Sequence, residues 1–65
     1  LACPLPVLKT RRALRNMPSG EILTVEATDP ASVIDFTHFC NTTDHEMVEH
    51  MEVDGVFTYV IRRGG

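Results

Sequence analysis

The stretch Cys3-Pro4-Leu5-Pro6-Val7-Leu8 determines how the first structural element begins. Proline is tolerated in the first turn of a helix because its missing N–H has no intrahelical acceptor there. The residue before a proline is driven toward extended geometry, which is the geometry of an N-cap. We therefore predict a helix with Cys3 as its N-cap that runs from Pro4 to about Met17, where Pro18-Ser19-Gly20 ends it.

This first helix has two distinct faces when its residues are placed 100° apart. One face should turn toward the core, and the other should carry cations, with Leu5 and Leu8 between or beside them. The core face comprises Val7, Thr10, Ala13, Leu14 and Met17, and the cationic face comprises Arg11, Arg12 and Arg15, with Lys9 in the same basic stretch.

Further along the chain, residues 21–28 alternate as a strand with one open face, and Leu23, Val25 and Ala27 should point inward. Asp29-Pro30 predicts the N-cap and first residue of a second helix that reaches Phe39 to Asn41. We predict a central stripe of Val33, Phe36 and Cys40 on that helix, flanked by Phe39 and Ile34.

The last third of the chain is predicted to form a β-hairpin. Residues 47–53 and 56–61 are strand-like, and Asp54-Gly55 between them is a strong two-residue turn signal. The order helix, strand, helix, strand, strand predicts an α/β (α+β) two-layer sandwich with two helices on one face of a small mixed sheet. A further strand before Cys3 would complete the sheet. We expect residues 1–65 to form one domain.

Charge is unevenly distributed along the 65 residues. All six basic residues lie in Lys9–Arg15 and Arg62–Arg63, whereas all nine acidic residues lie between positions 16 and 61, for a net charge of −3. This layout predicts a cationic face on an acidic body, suited to steering a partner, although a solvated helix surface gives the same pattern.

Composition excludes several classes of function. Four aromatic residues and no Trp argue against strong direct binding of nucleic acid. No run of eighteen apolar residues exists, so we expect no membrane span, and no leader is visible. Two cysteines are too few for a disulfide-rich scaffold, which favours a cytoplasmic protein with reduced thiols.

Cys3 is the leading candidate for chemistry. A thiol at a helix N-terminus lies in a positive partial field, and Pro4 and Pro6 leave the Leu5 N–H as its main capping donor. These effects favour the thiolate and would also stabilise a persulfide anion. The alternative is that Cys3 serves only as a cap, which would fit a regulatory or adaptor module.

Cys40 lies in an apolar stripe and is expected to be a core residue. A thiol redox switch between Cys3 and Cys40 is the alternative. The spacing of His38, His45 and His50 matches no compact ligand pattern, so no metal site is predicted. No glycine-rich phosphate loop and no evident general base for Cys3 are visible.

The run Leu1–Thr10, with its Cys-Pro-x-Pro motif, resembles the opening helix of the TusA (SirA-like) sulfur-carrier family. Thr28–Ser32 resembles the segment that opens that family's second helix, and Asp44-His45-Glu46 resembles its loop, although Asp44 stands where the family usually has glycine. The resemblance covers essentially the whole chain. It implies a βαβαββ order and sulfur transfer through a persulfide on Cys3.

The same resemblance implies a sulfur relay with a desulfurase- or rhodanese-like donor and a downstream acceptor protein, for example toward tRNA thiolation. The cargo would be a covalent persulfide sulfur, with no resident cofactor. Pro4, Leu5 and Pro6 would set the geometry at Cys3. Docking would use Leu5, Leu8, Lys9, Arg11, Arg12 and Arg15. Gly64-Gly65 leaves a less favoured rival, a ubiquitin-like carrier that uses its terminal carboxylate.

Overall fold

The computed structural model describes residues 4–65, with side chains from Val7 onward. Its elements follow the predicted order of helix, strand, helix, strand, strand. They are α1 (Pro4–Arg15), β1 (Ile22–Ala27), α2 (Ser32–Asn41), β2 (Glu46–Val53) and β3 (Val56–Arg62). The predicted N-cap role of Cys3 lies outside the described residues.

The three strands form one sheet in the order β1-β3-β2, and both pairings are antiparallel. A mixed sheet was expected because a strand before Cys3 was expected, and that strand lies outside the described residues. Within residues 4–65 the sheet is therefore antiparallel only. The fold is a small α+β arrangement in which two helices pack on one face of the sheet.

The hairpin between β2 and β3 forms as predicted. Asp54 and Gly55 both have positive φ angles, of 51° and 81°, as a type I′ turn requires. The Glu52 side chain accepts a hydrogen bond of 2.8 Å from the Gly55 N–H. A shift in register between Met47 and Glu49 makes β2 less regular than β3.

The first helix confirms its predicted faces but ends slightly early. Thr10 and Leu14 are buried, and Arg11, Arg12 and Arg15 are exposed. After Arg15 the chain continues in tighter turns, in which the Asn16 and Met17 N–H groups bond three residues back. The reason is Pro18, which disfavours helical geometry in the residue before it.

The second helix begins later than predicted. Asp29 was expected to be its N-cap, but the helix starts at Ser32 and its capping residue is Ala31. The Asp29 carboxylate instead accepts a 2.9 Å bond from the Ala31 N–H and so closes a turn ahead of the helix. The Asp29 carbonyl also accepts from the Ser32 N–H at 2.9 Å.

The predicted stripe on α2 is partly wrong. Val33 is 37% exposed and Ile34 is 73% exposed, whereas Ser32, Phe36 and Phe39 are buried. Ser32 tolerates burial because its hydroxyl shares a 2.7 Å hydrogen bond with the Tyr59 hydroxyl. The helix is therefore rotated so that the face containing Ser32, Phe36 and Phe39 meets the sheet.

The core lies between the helices and the inner face of the sheet. The Phe36 and Tyr59 rings stack with centroids 4.7 Å apart. Among the side chains from Val7 onward, five hydrophobic ones are buried, namely Leu14, Phe36, Phe39, Tyr59 and Ile61. Neither helix of residues 4–65 combines the length and hydropathy needed to cross a membrane.

Candidate functional site

The exposed side of α1 carries four cations over two turns. Lys9, Arg11, Arg12 and Arg15 are all exposed. The Arg11 guanidinium lies 5.8 Å from the Phe39 ring centroid. The cationic face predicted for α1 is therefore present, and its charges are available to a partner.

An apolar side chain lies on the same helix surface. Leu8 is 55% exposed, so the cationic face of α1 also offers apolar surface. The backbone of Pro4, Leu5 and Pro6 forms the first turn of α1, so this turn follows Cys3 directly in the chain.

The second basic stretch does not extend the cationic face as the charge layout suggested. Arg62 donates to the Glu46 carboxylate at 2.6 Å and forms an ion pair with it. Arg63 is used structurally, because its Nε donates a 2.8 Å bond to the Leu14 carbonyl near the end of α1. Its Nη1 also donates to the Gly64 carbonyl at 2.6 Å.

The chain after β3 is held against the loop that follows α2. The Gly64 N–H donates to His45 Nδ1 at 3.1 Å, and the His45 ring stacks on Phe39 with centroids 5.5 Å apart. A Cβ added at Gly64 would collide with the Asp44 backbone carbonyl. Glycine is needed at position 64 for this close approach, which supplies a structural reason for at least the first residue of the Gly-Gly pair.

Cys40 lies where the core prediction placed it. It is half-buried and packs against the hydrophobic core. Burial raises the pKa of the Cys40 thiol, so less of it is present as the reactive thiolate at neutral pH.

The histidines are dispersed. His38 is exposed on α2, and His45 accepts a hydrogen bond from Gly64 and stacks on Phe39. Across residues 4–65, no three His, Cys, Asp or Glu side chains are grouped so that they could hold a metal ion.

A groove of about 420 Å³ runs between the two helices, and sequence reasoning missed it. Leu8 and Arg11 of α1 line it together with Ile34, Asp35 and Phe39 of α2. Ile34 had been assigned to the flank of the buried stripe. One feature of the sequence could have revealed the groove. Apolar residues occur on several sides of α2, and a single sheet can cover only one of those sides.

The fold and the sequence together define a small α+β protein whose basic helix directly follows a cysteine. The chain belongs to the sulfurtransferase TusA family, whose model matches residues 1–63. This match confirms the resemblance to the TusA family.

Individual relatives agree with the family. The chain is 47% identical over 62 residues to a candidate sulfur carrier protein of Neisseria meningitidis serogroup A, covering 95% of this chain and 84% of the relative. It is 44% identical over 63 residues to the sulfur carrier protein TusA of Allochromatium vinosum, covering 97% of this chain and 83% of that protein.

Proposed function

We propose that this protein is a cytoplasmic sulfur carrier that accepts a sulfane sulfur on Cys3 and passes it to a partner protein. The observation that carries the proposal is the start of α1 at Pro4, immediately after Cys3, in a chain of the TusA family. The donor is a desulfurase- or rhodanese-like protein, and the acceptor is a downstream protein thiol, for example on the way to tRNA thiolation.

The transfer is a pair of thiol exchanges. The Cys3 thiolate attacks the outer sulfur of a donor persulfide, so a new S–S bond forms at Cys3 while the donor S–S bond breaks and the donor leaves as a thiolate. An acceptor thiolate then attacks the outer sulfur on Cys3 and releases the Cys3 thiolate. Electrons balance within each exchange, so no external oxidant and no cofactor are needed.

The first turn of α1 supplies the electrostatics. The N–H groups at a helix N-terminus lack intrahelical acceptors and present a positive partial charge. Pro4 and Pro6 contribute no N–H and restrict the backbone, which leaves the Leu5 N–H to stabilise an anionic sulfur on Cys3. Stabilisation of the thiolate raises the fraction of Cys3 in this reactive form at neutral pH and makes Cys3 the better leaving group in these exchanges.

The docking surface for both partners is the cationic face of α1 with Leu5 and Leu8. The exposed charges there would complement an acidic partner surface and steer its approach.

Intact mass spectrometry tests the carrier proposal directly. After incubation with inorganic polysulfide and removal of the excess, we expect the protein to gain the mass of one sulfur atom, mapped to Cys3 by peptide analysis. The Cys3→Ser variant is expected to lose this gain. Cys40 is the internal control, because the raised pKa of its thiol should leave it unmodified.

Three outcomes would contradict the proposal. No added sulfur on Cys3 would favour an adaptor module in which Cys3 is a cap. Loss of two hydrogens on oxidation, with Cys3 joined to Cys40, would favour a redox switch. Sulfur in place of oxygen at Gly65 would favour a ubiquitin-like carrier.

The docking surface is tested by charge reversal. We expect the Arg11→Glu/Arg12→Glu double variant to accept sulfur from a persulfide-loaded rhodanese at least about tenfold more slowly at low salt, because steering by complementary charge is lost. Both side chains are exposed, so circular dichroism and the unfolding midpoint should change little.

Arg12→Glu alone and Arg62→Glu form a matched pair for this experiment. Both reverse one exposed arginine, but Arg62 lies on β3 and not on α1. Equal slowing by the two variants would mean that net charge matters and that the α1 face does not.

A further inference from the structure

The α1–α2 groove contains one polar feature that the fold does not explain. Asp35 lines the groove beside Leu8, Ile34 and Phe39, and its Oδ2 is buried without a hydrogen-bond donor among residues 4–65. Buried polar atoms are almost always hydrogen-bonded, because an unmet acceptor forfeits its interaction with water. Within residues 4–65 this buried acceptor is therefore open to a donor that a bound ligand would bring.

Two apolar side chains that line the groove are also largely exposed. Ile34 is 73% exposed and Leu8 is 55% exposed, one on each helix. Arg11 lines the same groove, and the other cations of α1 lie on the adjoining surface. The groove thus combines apolar side chains and one buried acceptor with the polar side chains of His38 and Thr42, and cations lie on the neighbouring surface.

We propose that this groove is an anchor pocket for a single amphipathic side chain of the sulfur-transfer partner, one with an apolar body and an N–H or O–H tip. The apolar body would pack against Leu8 and Ile34, and the tip would donate to Asp35. The terminal torsion of an aspartate is soft, so a small rotation presents either oxygen to the donor.

The surroundings define the partner further. Tyrosine, tryptophan and arginine have the required shape, and these residues dominate the energetics of protein interfaces when they enter fitted pockets. Acidic residues flanking that side chain would meet Arg11 and the other exposed cations of α1. The identity of the occupant as a sulfur-transfer partner rests on the proposed function, whereas the pocket chemistry does not.

Small-molecule probes test the pocket without any partner. p-Cresol reproduces the tyrosine side chain, and toluene has the same ring and methyl group without the hydroxyl. In ¹H–¹⁵N NMR titrations of the full chain, we expect p-cresol to shift the amides of Ile34, Asp35 and Phe39. We expect p-cresol to bind about two- to tenfold more tightly than toluene, the effect of one net hydrogen bond.

Two groove variants and one control variant test whether the probes bind in the groove and donate to Asp35. Asp35→Leu should bring the two dissociation constants to within about twofold of each other, because the acceptor is gone and the apolar walls remain. Ile34→Asp should weaken the binding of both probes, and Thr37→Asp, at another exposed position on α2 that does not line the groove, should weaken neither. If Asp35→Leu does not fold, the comparison of Ile34→Asp with Thr37→Asp still tests the proposal, because both positions are exposed.

The inference is overturned if neither probe shifts groove amides, or if the preference for p-cresol survives in Asp35→Leu. It is also overturned if Ile34→Asp and Thr37→Asp transfer sulfur from persulfide-loaded rhodanese at the same rate while Cys3 loads normally. Failure of Cys3 to load with polysulfide would instead refute the proposed function, and the probe titrations would still report on the pocket.

Discussion

Replacing Phe36 with alanine is expected to leave the protein largely unfolded at room temperature. Phe36 is 0% exposed and stacks on Tyr59 at 4.7 Å, so the substitution removes a ring from the centre of the core. Truncations of this kind cost about 3–5 kcal/mol. A chain of this size is stabilised by about 3–10 kcal/mol in total, so the loss takes most of the available free energy of unfolding.

Urea denaturation followed by circular dichroism measures this loss. Ile34→Ala is the matched control, because it truncates another large apolar residue on the same helix that is 73% exposed. The control should change the free energy of unfolding by no more than about 0.5 kcal/mol. If both variants lost the same stability, the observed orientation of α2 on the sheet would be wrong.

Replacing Gly64 with alanine is expected to detach the chain after β3 from the loop that follows α2. The new methyl group would meet the Asp44 carbonyl, so the backbone at position 64 has to move. The bond from the Gly64 N–H to His45 would be lost, and the Arg63 contact with Leu14 would be strained. We expect the free energy of unfolding to fall by about 1–3 kcal/mol.

Thermal unfolding of Gly64→Ala and Gly65→Ala provides the comparison. A Cβ at position 65 would have the Asp44 carboxylate as its nearest neighbour, at 3.8 Å, an ordinary contact. We expect the unfolding midpoint of Gly64→Ala to fall by about 4–8 °C for each kcal/mol lost. The midpoint of Gly65→Ala should stay almost unchanged. Equal effects would show that the close approach to Asp44 is not what requires glycine at position 64.

Local chemistry made much of the fold predictable. The start of α1 at Pro4, the alternation of β1 and the Asp54-Gly55 turn each depend on a few neighbouring residues, and each forms close to its predicted position. The faces of α1 were also predictable, because its cations and its apolar residues fall on opposite sides of the helix.

Features that depend on distant residues were not predictable. Burial of Ser32 requires Tyr59, which is 27 positions away, and Arg63 reaches Leu14 across 49 positions. On α2, apolar residues occur on several sides, so periodicity could not decide whether Val33 or Phe39 faces the sheet. The same holds for the candidate site, since the cations of α1 were predicted and the groove that Ile34 lines was not.

The exposure of the α1 cations has a consequence for the time that two partners stay together. Ion pairs formed by exposed side chains add only about 0.2–1 kcal/mol each, so they do little to slow dissociation. They raise the rate of encounter. Salt weakens this electrostatic attraction, with a Debye length of about 8 Å at physiological ionic strength. A protein that has to leave its donor before it meets its acceptor is well served by contacts that shorten the search and leave the residence time brief.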